Sequence, residues 1–349
     1  MRLAELTTLR VGGVADRLVT ASTTDELVDA VREVDDADEP LLLLAGGSNL
    51  LVSDEPLPGT VVRVATSGVV VESADGCGGV NVRVAAGERW DDLVARAAAE
   101  GWVGIEALSG IPGSVGATPI QNVGAYGQEV SQTIAQVRVW DRYGQQVLTV
   151  ANADCRFTYR HSAFKGTDRF VVLDVLFQLR LGDLSAPIGY ADLARGLGVE
   201  LGARVPLADA RTAVLDQRRK RGMVLDAADH DTWSAGSFFT NPIMSEPAFA
   251  ELRGRVQSAL GAEVEPPAWP GEQGTKTSAA WLIERAGFGK GFGLPGPAAL
   301  STKHTLALTN RGGAAADDLV GLARQVRDGV QDAFGVTLVN EPVLVGLTL

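Results

Sequence analysis

GIEALSGIPGSVGATPIQNVGAYGQEV, residues 104–130, is the stretch on which the fold turns. It sets six glycines and two prolines among apolar residues, with neither the 3.6-residue period of a helix nor the alternation of a strand. Glycine serves where the backbone takes positive φ or is closely approached, and proline where a turn is rigid. A solvated linker would be rich in Ser, Lys and Glu, whereas Ile105, Leu108, Ile111, Val115, Ile120 and Val123 require burial. The segment reads as a shaped loop wrapped around a ligand.

A second glycine turn, AGGSNLLVSD at 45–54, follows the apolar run LLLL at 41–44, which is short and bounded like a buried strand. Its successive N–H groups can form an anion nest suited to a pyrophosphate. Strands also end in glycine turns for purely geometric reasons, so two such loops together carry more than either alone. Neither is G-x-G-x-x-G, and that fingerprint needs its glycines to open a helix. Here NLLVSD followed by Pro56 and Pro58 blocks one.

Around these loops the pattern predicts a strand over 9–20, a helix over 24–34 with Leu27, Val28, Val31 and Val34 on one face, and a strand over 41–44. Strands follow at 61–65, 80–87, 136–141, 145–150 and 169–179, with 142–145 as a hairpin turn. A helix at 90–100, closed by Gly101, interrupts them. This is a two-part α+β unit whose glycine loops are expected to face one crevice. Residues 181–187 read as a boundary. Beyond it come a short helix near Tyr190, helices at 207–221, 246–260, 278–286 and 314–334, loops at 227–242 and 266–274, and a final strand at about 336–347.

At 349 residues and 46% hydrophobic, the chain can bury a full core and hold two or three domains. A net charge of −12 excludes a nucleic-acid coat, so an anionic substrate needs a local basic cluster. The opening MRLAELTTLRVGG lacks an apolar signal region and no apolar stretch reaches spanning length, so a cytoplasmic protein without membrane partners is expected. Two cysteines, Cys77 and Cys155, make no framework, and His161, His230 and His304 are dispersed, so no metal site is expected.

Read in order, TTLRVGG, LLLAGGSNLLVSD, the loop at 104–130, CRFTYRHSAFK, AGSFFTNP, AAWLIERAGFGKG and NEPVLVG resemble the UDP-N-acetylenolpyruvoylglucosamine reductases, flavoenzymes that make UDP-N-acetylmuramate for peptidoglycan. The resemblance covers nearly the whole length. It implies a vanillyl-alcohol-oxidase/p-cresol-methylhydroxylase-type FAD fold in two subdomains, 1–59 and 60–182, and an α+β substrate domain at 190–349 whose last strand returns Glu341 to the active site. It also implies noncovalent FAD, NADPH as co-substrate, a sugar-nucleotide substrate and a monomer.

In that family, hydride delivered from the flavin to the enolpyruvyl β-carbon leaves enolate-like charge that must be stabilised and then protonated. Arg160 in TYRHS matches the carboxylate-binding arginine, and a planar guanidinium suits two-point pairing. Ser237 in AGSFFTNP matches the proton donor, and Glu341 the acidic partner that positions substrate or, protonated, hydrogen-bonds to the enolate. Without their motifs these three read equally as a surface arginine, a capping serine and a strand-edge carboxylate.

Tyr190 resembles the lid tyrosine of one family subtype, against a core aromatic at a helix start. Asn241 resembles a substrate-binding amide, and Lys303 and His304 lie near another matched contact region. The run RRKR at 218–221 supplies the basic patch a diphosphate requires; the family pattern has lysine where Arg221 stands, which leaves Lys220 as the alternative. For FAD the resemblance implies Gly46, Gly47, Ser48 and Asn49 on the pyrophosphate, with Ser114, Gly116, Ala117, Asn122, Gly124 and Tyr126 enclosing the ring or its linker. Two competing readings are an FAD-dependent sugar or alcohol oxidase of the same superfold and a flavin-binding regulator without catalysis. The joint presence of Arg160, Ser237 and Glu341 speaks against both.

Overall fold

Thr23 accepts the N–H of Glu26, and Glu26 in return caps the Thr23 N–H, so the first helix starts where a reciprocal cap satisfies its orphan donors. In the computed structural model, which describes residues 1–271 and 274–349, that helix runs Thr24–Asp36. It buries Leu27, Ala30 and Val31 against Ala21, Val62, Trp140, Val171 and Leu173, and Val34 is buried on the same face. Two units form. The sheet unit comprises Ala15–Gly46 and Pro58–Val224, and the C-terminal unit comprises Met1–Val14, Gly47–Leu57 and Leu225–Leu349.

In the sheet unit, Ala15–Ala21, Leu57–Val64 and Leu41–Leu44 make a three-stranded sheet in that spatial order, the last two parallel with Leu41 opposite Thr60. A larger antiparallel sheet runs Gln146–Ala151, Ile134–Asp141, Phe170–Leu181, Gly79–Ala85, Val69–Asp75. The strand Phe170–Leu181 lacks alternation because both its faces are covered. Val171 and Leu173 enter one core, and Val172, Val175, Phe177 and Leu179 enter the other with Val80, Val82, Val84 and Trp90. That second core also takes Ile105, Leu108, Val115 and Val130, which anchor the glycine-rich loop on the sheet.

In the C-terminal unit, helix Ala316–Phe334 turns Leu319, Ala323, Val326, Val330 and Phe334 inward at helical spacing, onto Phe238, Leu252 and Leu282. Asp54 holds this unit's pieces together: one oxygen accepts the N–H of Gly12 at 3.0 Å and the other the N–H of Ala316 at 2.5 Å. Leu50–Val52 pairs parallel with Val343–Val345, so the turn after the first glycine loop shares a ladder with the chain's end.

Several sequence expectations need correction. The strand expected over 9–20 begins at Ala15, because left-handed backbone at Arg10 and Gly12 turns the preceding segment and sends Leu9 and Val11 into the C-terminal core. The expected final strand is only Val343–Val345; Val336 and Leu338 are buried in alternation, but among the described residues that stretch forms only an isolated bridge, Asn340 with Phe239. The loop expected at 266–274 carries Trp269–Gly271, paired with Gly274–Lys276, and its Glu272 and Gln273 lie outside the described residues. Val69–Asp75 went unread because its outer residues are exposed and it ends in polar ones. The two helices Ala191–Leu197 and Leu207–Lys220 fall beyond the expected boundary at 181–187 yet belong to the sheet unit.

The two cysteines differ in environment. Cys77 is exposed in a turn, whereas Cys155 is buried and burial pushes its thiol up to about 12. Since the thiolate is the nucleophile, iodoacetamide is expected to add once to the native protein, at Cys77, and twice after denaturation, as read by intact mass and peptide mapping. Two additions to the native protein would contradict this packing.

Candidate active site

The glycine-rich loop closes on itself through a hairpin, Gly124–Ala125 against Gln128–Glu129, whose two central residues, Tyr126 and Gly127, both take positive φ (51° and 86°). That is the turn geometry whose twist matches paired strands. Asn122, 1% exposed and also left-handed, fixes the loop: its NH2 donates to Glu129 Oε2 (2.9 Å) and the Thr158 carbonyl (3.0 Å), and its Oδ1 accepts the Ser131 N–H. Asn122 therefore spends its side-chain donors on the loop itself. Buried Glu106 ties the loop elsewhere, accepting the N–H of Gly104 at 2.7 Å and of Ala186 at 2.6 Å.

Arg160 belongs to this loop. Its Nη2 donates to the Gly124 carbonyl at 2.6 Å and its Nη1 to the Asn122 carbonyl at 3.4 Å, while its own backbone is left-handed at φ 54°. Non-glycine residues in that region carry strain that surrounding structure must hold, and such residues cluster at functional sites.

The two glycine turns meet. A Cβ on Gly46 would lie 2.6 Å from Gly113 Cα, so only glycine allows the first turn to touch the second. Gly116 is pressed onto Ala86, where a Cβ would come within 2.5 Å. Between them Ser114 is 4% exposed and its hydroxyl has no hydrogen-bond partner among the described residues. A buried orphan hydroxyl beside closely packed glycine backbone is what a bound polar group would satisfy. Among the described residues, the N–H groups of Gly46, Gly47 and Ser48 donate to no acceptor, which suits an anion.

Tyr126 and Tyr190 stack edge to face at 5.4 Å, and the Arg221 guanidinium lies 5.9 Å from the Tyr126 ring while its Nη2 donates to Asp192 at 3.0 Å. Lys220 is exposed. Burial raises the Tyr126 phenol pKa, against the pull of Arg218 and Arg221. Arg218 was read only as part of the basic run, not as its buried member. Its Nε is buried without a partner among the described residues, its Nη2 donates to the Met223 carbonyl at 2.7 Å, and burial pushes it down to about 10. The signal was present, because the inward stripe Leu207, Ala210, Val214 continues at helical spacing to 218 and 221.

In the C-terminal unit, Glu341 is clamped through its peptide: its N–H donates to the Phe238 carbonyl at 2.8 Å, and its carbonyl accepts Asn49 Nδ2 at 3.3 Å. One element thus holds the residue after Ser237, the acidic residue and the end of the first glycine turn. Ser237 is half-buried and its hydroxyl makes no hydrogen bond among the described residues; Gly236 before it has φ 75°, and Phe238 after it donates to Leu306. Asn241 Oδ1 caps the N–H of Ala279 at 3.0 Å, Lys303 is paired with Asp229, and the His304 N–H donates to Ser301 Oγ. No cluster of His, Cys, Asp and Glu among the described residues can hold a metal, and no helix among them is long and apolar enough to cross a membrane.

Glycine turns in close contact, an orphan hydroxyl between them and an arginine gripped by one of them suit a fold that binds a nucleotide cofactor such as FAD. The family model of the FAD binding domain matches residues 15–149, and that of the UDP-N-acetylenolpyruvoylglucosamine reductase C-terminal domain matches 227–345. Proteins named UDP-N-acetylenolpyruvoylglucosamine reductase from Thermobifida fusca and Streptomyces avermitilis are each 59% identical, covering 99% of this chain and 97% and 94% of theirs. The crystal structure of the enzyme of that name from Thermus caldophilus superposes with a TM-score of 0.65 at 26% identity, over 99% of this chain and 97% of that one. The chain belongs to the UDP-N-acetylenolpyruvoylglucosamine reductase family.

Proposed function

We propose that this protein reduces the enolpyruvyl group of UDP-N-acetylenolpyruvoylglucosamine to form UDP-N-acetylmuramate, with FAD held noncovalently and NADPH as the electron source. The observation that carries this reading is the clamp on Glu341, which ties it to the Ser237 segment and to the first glycine turn. Gly46, Gly47, Ser48 and Asn49 hold the pyrophosphate. Ser114, Gly116, Ala117, Asn122, Gly124 and Tyr126 line the cofactor, Asn122 also fixing their loop, and the orphan Ser114 hydroxyl gains a partner. When bound, FAD supplies reversible storage of two electrons between nicotinamide and enolpyruvyl group.

Arg160 binds the enolpyruvyl carboxylate and stabilises the charge that develops on it. Ser237 gives its proton to the α-carbon. A hydroxyl is a weak acid, but the carbanion it meets is strongly basic, and the alkoxide left behind regains a proton from solvent. Glu341 positions the carboxylate end. Tyr190 acts as the lid tyrosine, Arg221 serves the diphosphate beside it, and Asn241, Lys303 and His304 serve the rest of the sugar nucleotide. The protein acts as a monomer.

Purified protein is expected to be yellow, to bleach on adding NADPH without substrate, and to recover its colour when the enolpyruvyl sugar nucleotide follows. Colourless protein that takes up no FAD would end the proposal, and oxygen uptake with a sugar in the absence of NADPH would replace it with an oxidase.

A further inference from the structure

We infer that Glu129, with Asn122, is the positioning residue that aims Arg160 at a carboxylate, an inference that rests on the reading of Arg160 given above. Glu129 stands opposite Gly124 in the small hairpin, so its backbone is fixed to the residue whose carbonyl accepts from Arg160. Its carboxylate is shared two ways, one oxygen accepting the Asn122 NH2 at 2.9 Å and the other lying 3.9 Å from Arg160 Nη1, while its own N–H donates to Gln132 Oε1 at 3.2 Å.

The arrangement differs from an ordinary surface ion pair, which two mobile side chains make at little net gain. Arg160 and Glu129 have 19% and 34% of their side chains exposed, and each is held on its other side by the loop. Asn122 joins the two segments, donating from one NH2 group to Glu129 and to the Thr158 carbonyl two residues before Arg160. Ser162 repeats the link by donating to the Ile120 carbonyl at 2.6 Å, and Lys165 Nζ donates to the Arg160 carbonyl at 3.0 Å. Asn122, Tyr126, Arg156 and Arg160, four non-glycine residues in this one region, all take left-handed backbone. Such a cluster persists only where the surroundings over-determine it.

The carbonyls of Asn122 and Gly124 fix where the guanidinium ends lie. The Glu129 charge selects the rotation of the planar fork about its axis by drawing Nη1 to one side, and that rotation decides whether two-point pairing with a substrate carboxylate is possible. Arg160 would remain near the site without Glu129, but misaimed.

Glu129→Gln tests this in the FAD holoenzyme, since Gln still accepts from Asn122 and keeps the hairpin. The expected result is a rise of about tenfold in KM for the enolpyruvyl sugar nucleotide. NADPH reduction of the flavin should stay within about twofold of the parent. In an Arg160→Lys background the same change is expected to add nothing, because an ammonium needs no rotational aim. A KM that is unchanged or lower, or an effect of the same size in both backgrounds, would overturn the inference. If Glu129→Gln does not fold, Glu129→Asp, which draws the charge back by one methylene, must show the same selective rise, and parental kinetics there would overturn it equally. Arg160→Lys with parental KM would instead defeat the reading of Arg160 itself, whereas an impaired Arg160→Lys beside a silent Glu129→Gln defeats only the role of Glu129.

Discussion

Ser237→Ala is expected to lower turnover of the enolpyruvyl sugar nucleotide by on the order of 10²–10⁴, the range for loss of a positioned proton donor. The flavin should still bleach with NADPH, because that half of the cycle needs no proton from this hydroxyl. The structure makes the substitution clean. Ser237 Oγ has no hydrogen-bond partner among the described residues, and its backbone is fixed by neighbours, with Phe238 donating to Leu306 at 2.7 Å and accepting from Glu341 at 2.8 Å. Removing the oxygen therefore breaks no internal bond. Stopped-flow absorbance separates the two half-reactions, and a variant that reoxidises with substrate as fast as the parent would remove Ser237 from the chemistry.

Gly46→Ala is expected to yield colourless protein. Its new methyl would lie 2.6 Å from Gly113 Cα and 3.0 Å from the Gly113 carbonyl carbon, and backbone atoms cannot swing aside as a side chain can. Forcing an extra carbon into packed structure costs about 1–3 kcal/mol, and here the displaced groups are the two glycine turns proposed to hold the cofactor. Flavin absorbance per mole of purified protein and FAD titration of the apoprotein measure the effect. Gly254→Ala is the control, because its methyl would meet nothing within 4 Å and it sits inside helix Glu246–Leu260, where alanine is preferred. Full flavin occupancy in Gly46→Ala would show that the contact between the turns is dispensable.

Much of the architecture was legible because it rests on local signals. Helix Glu246–Leu260 matches its expected bounds, and the reciprocal cap at Thr23 and Glu26 marks the start of the first helix. The strand Phe170–Leu181 was readable as a continuous apolar run, although why it lacks alternation emerges only from the two cores on either side. What sequence could not convey was pairing between distant segments. Nothing near Leu50 announces that its partner is Val343, and nothing near Leu9 shows that it is buried with Phe238 and Leu308. For the site, motifs supplied Arg160, Ser237 and Glu341, and also Asn122 and Asn49 as cofactor candidates, while the contacts of Asn122 with Glu129 and of Asn49 with the Glu341 carbonyl are visible only in the structure. Arg218 fell between, since its helical phase pointed inward but a run of four basic residues conceals which of them is buried.

The carboxylate of Asp54, which accepts from Gly12 and Ala316, has a consequence for biosynthesis. On the ribosome, Leu9 and Leu51 emerge early, yet most of the core they join, from Ala235 to Leu338, lies far downstream. The nascent polypeptide must therefore carry these apolar segments without those partners until the downstream helices have been synthesised.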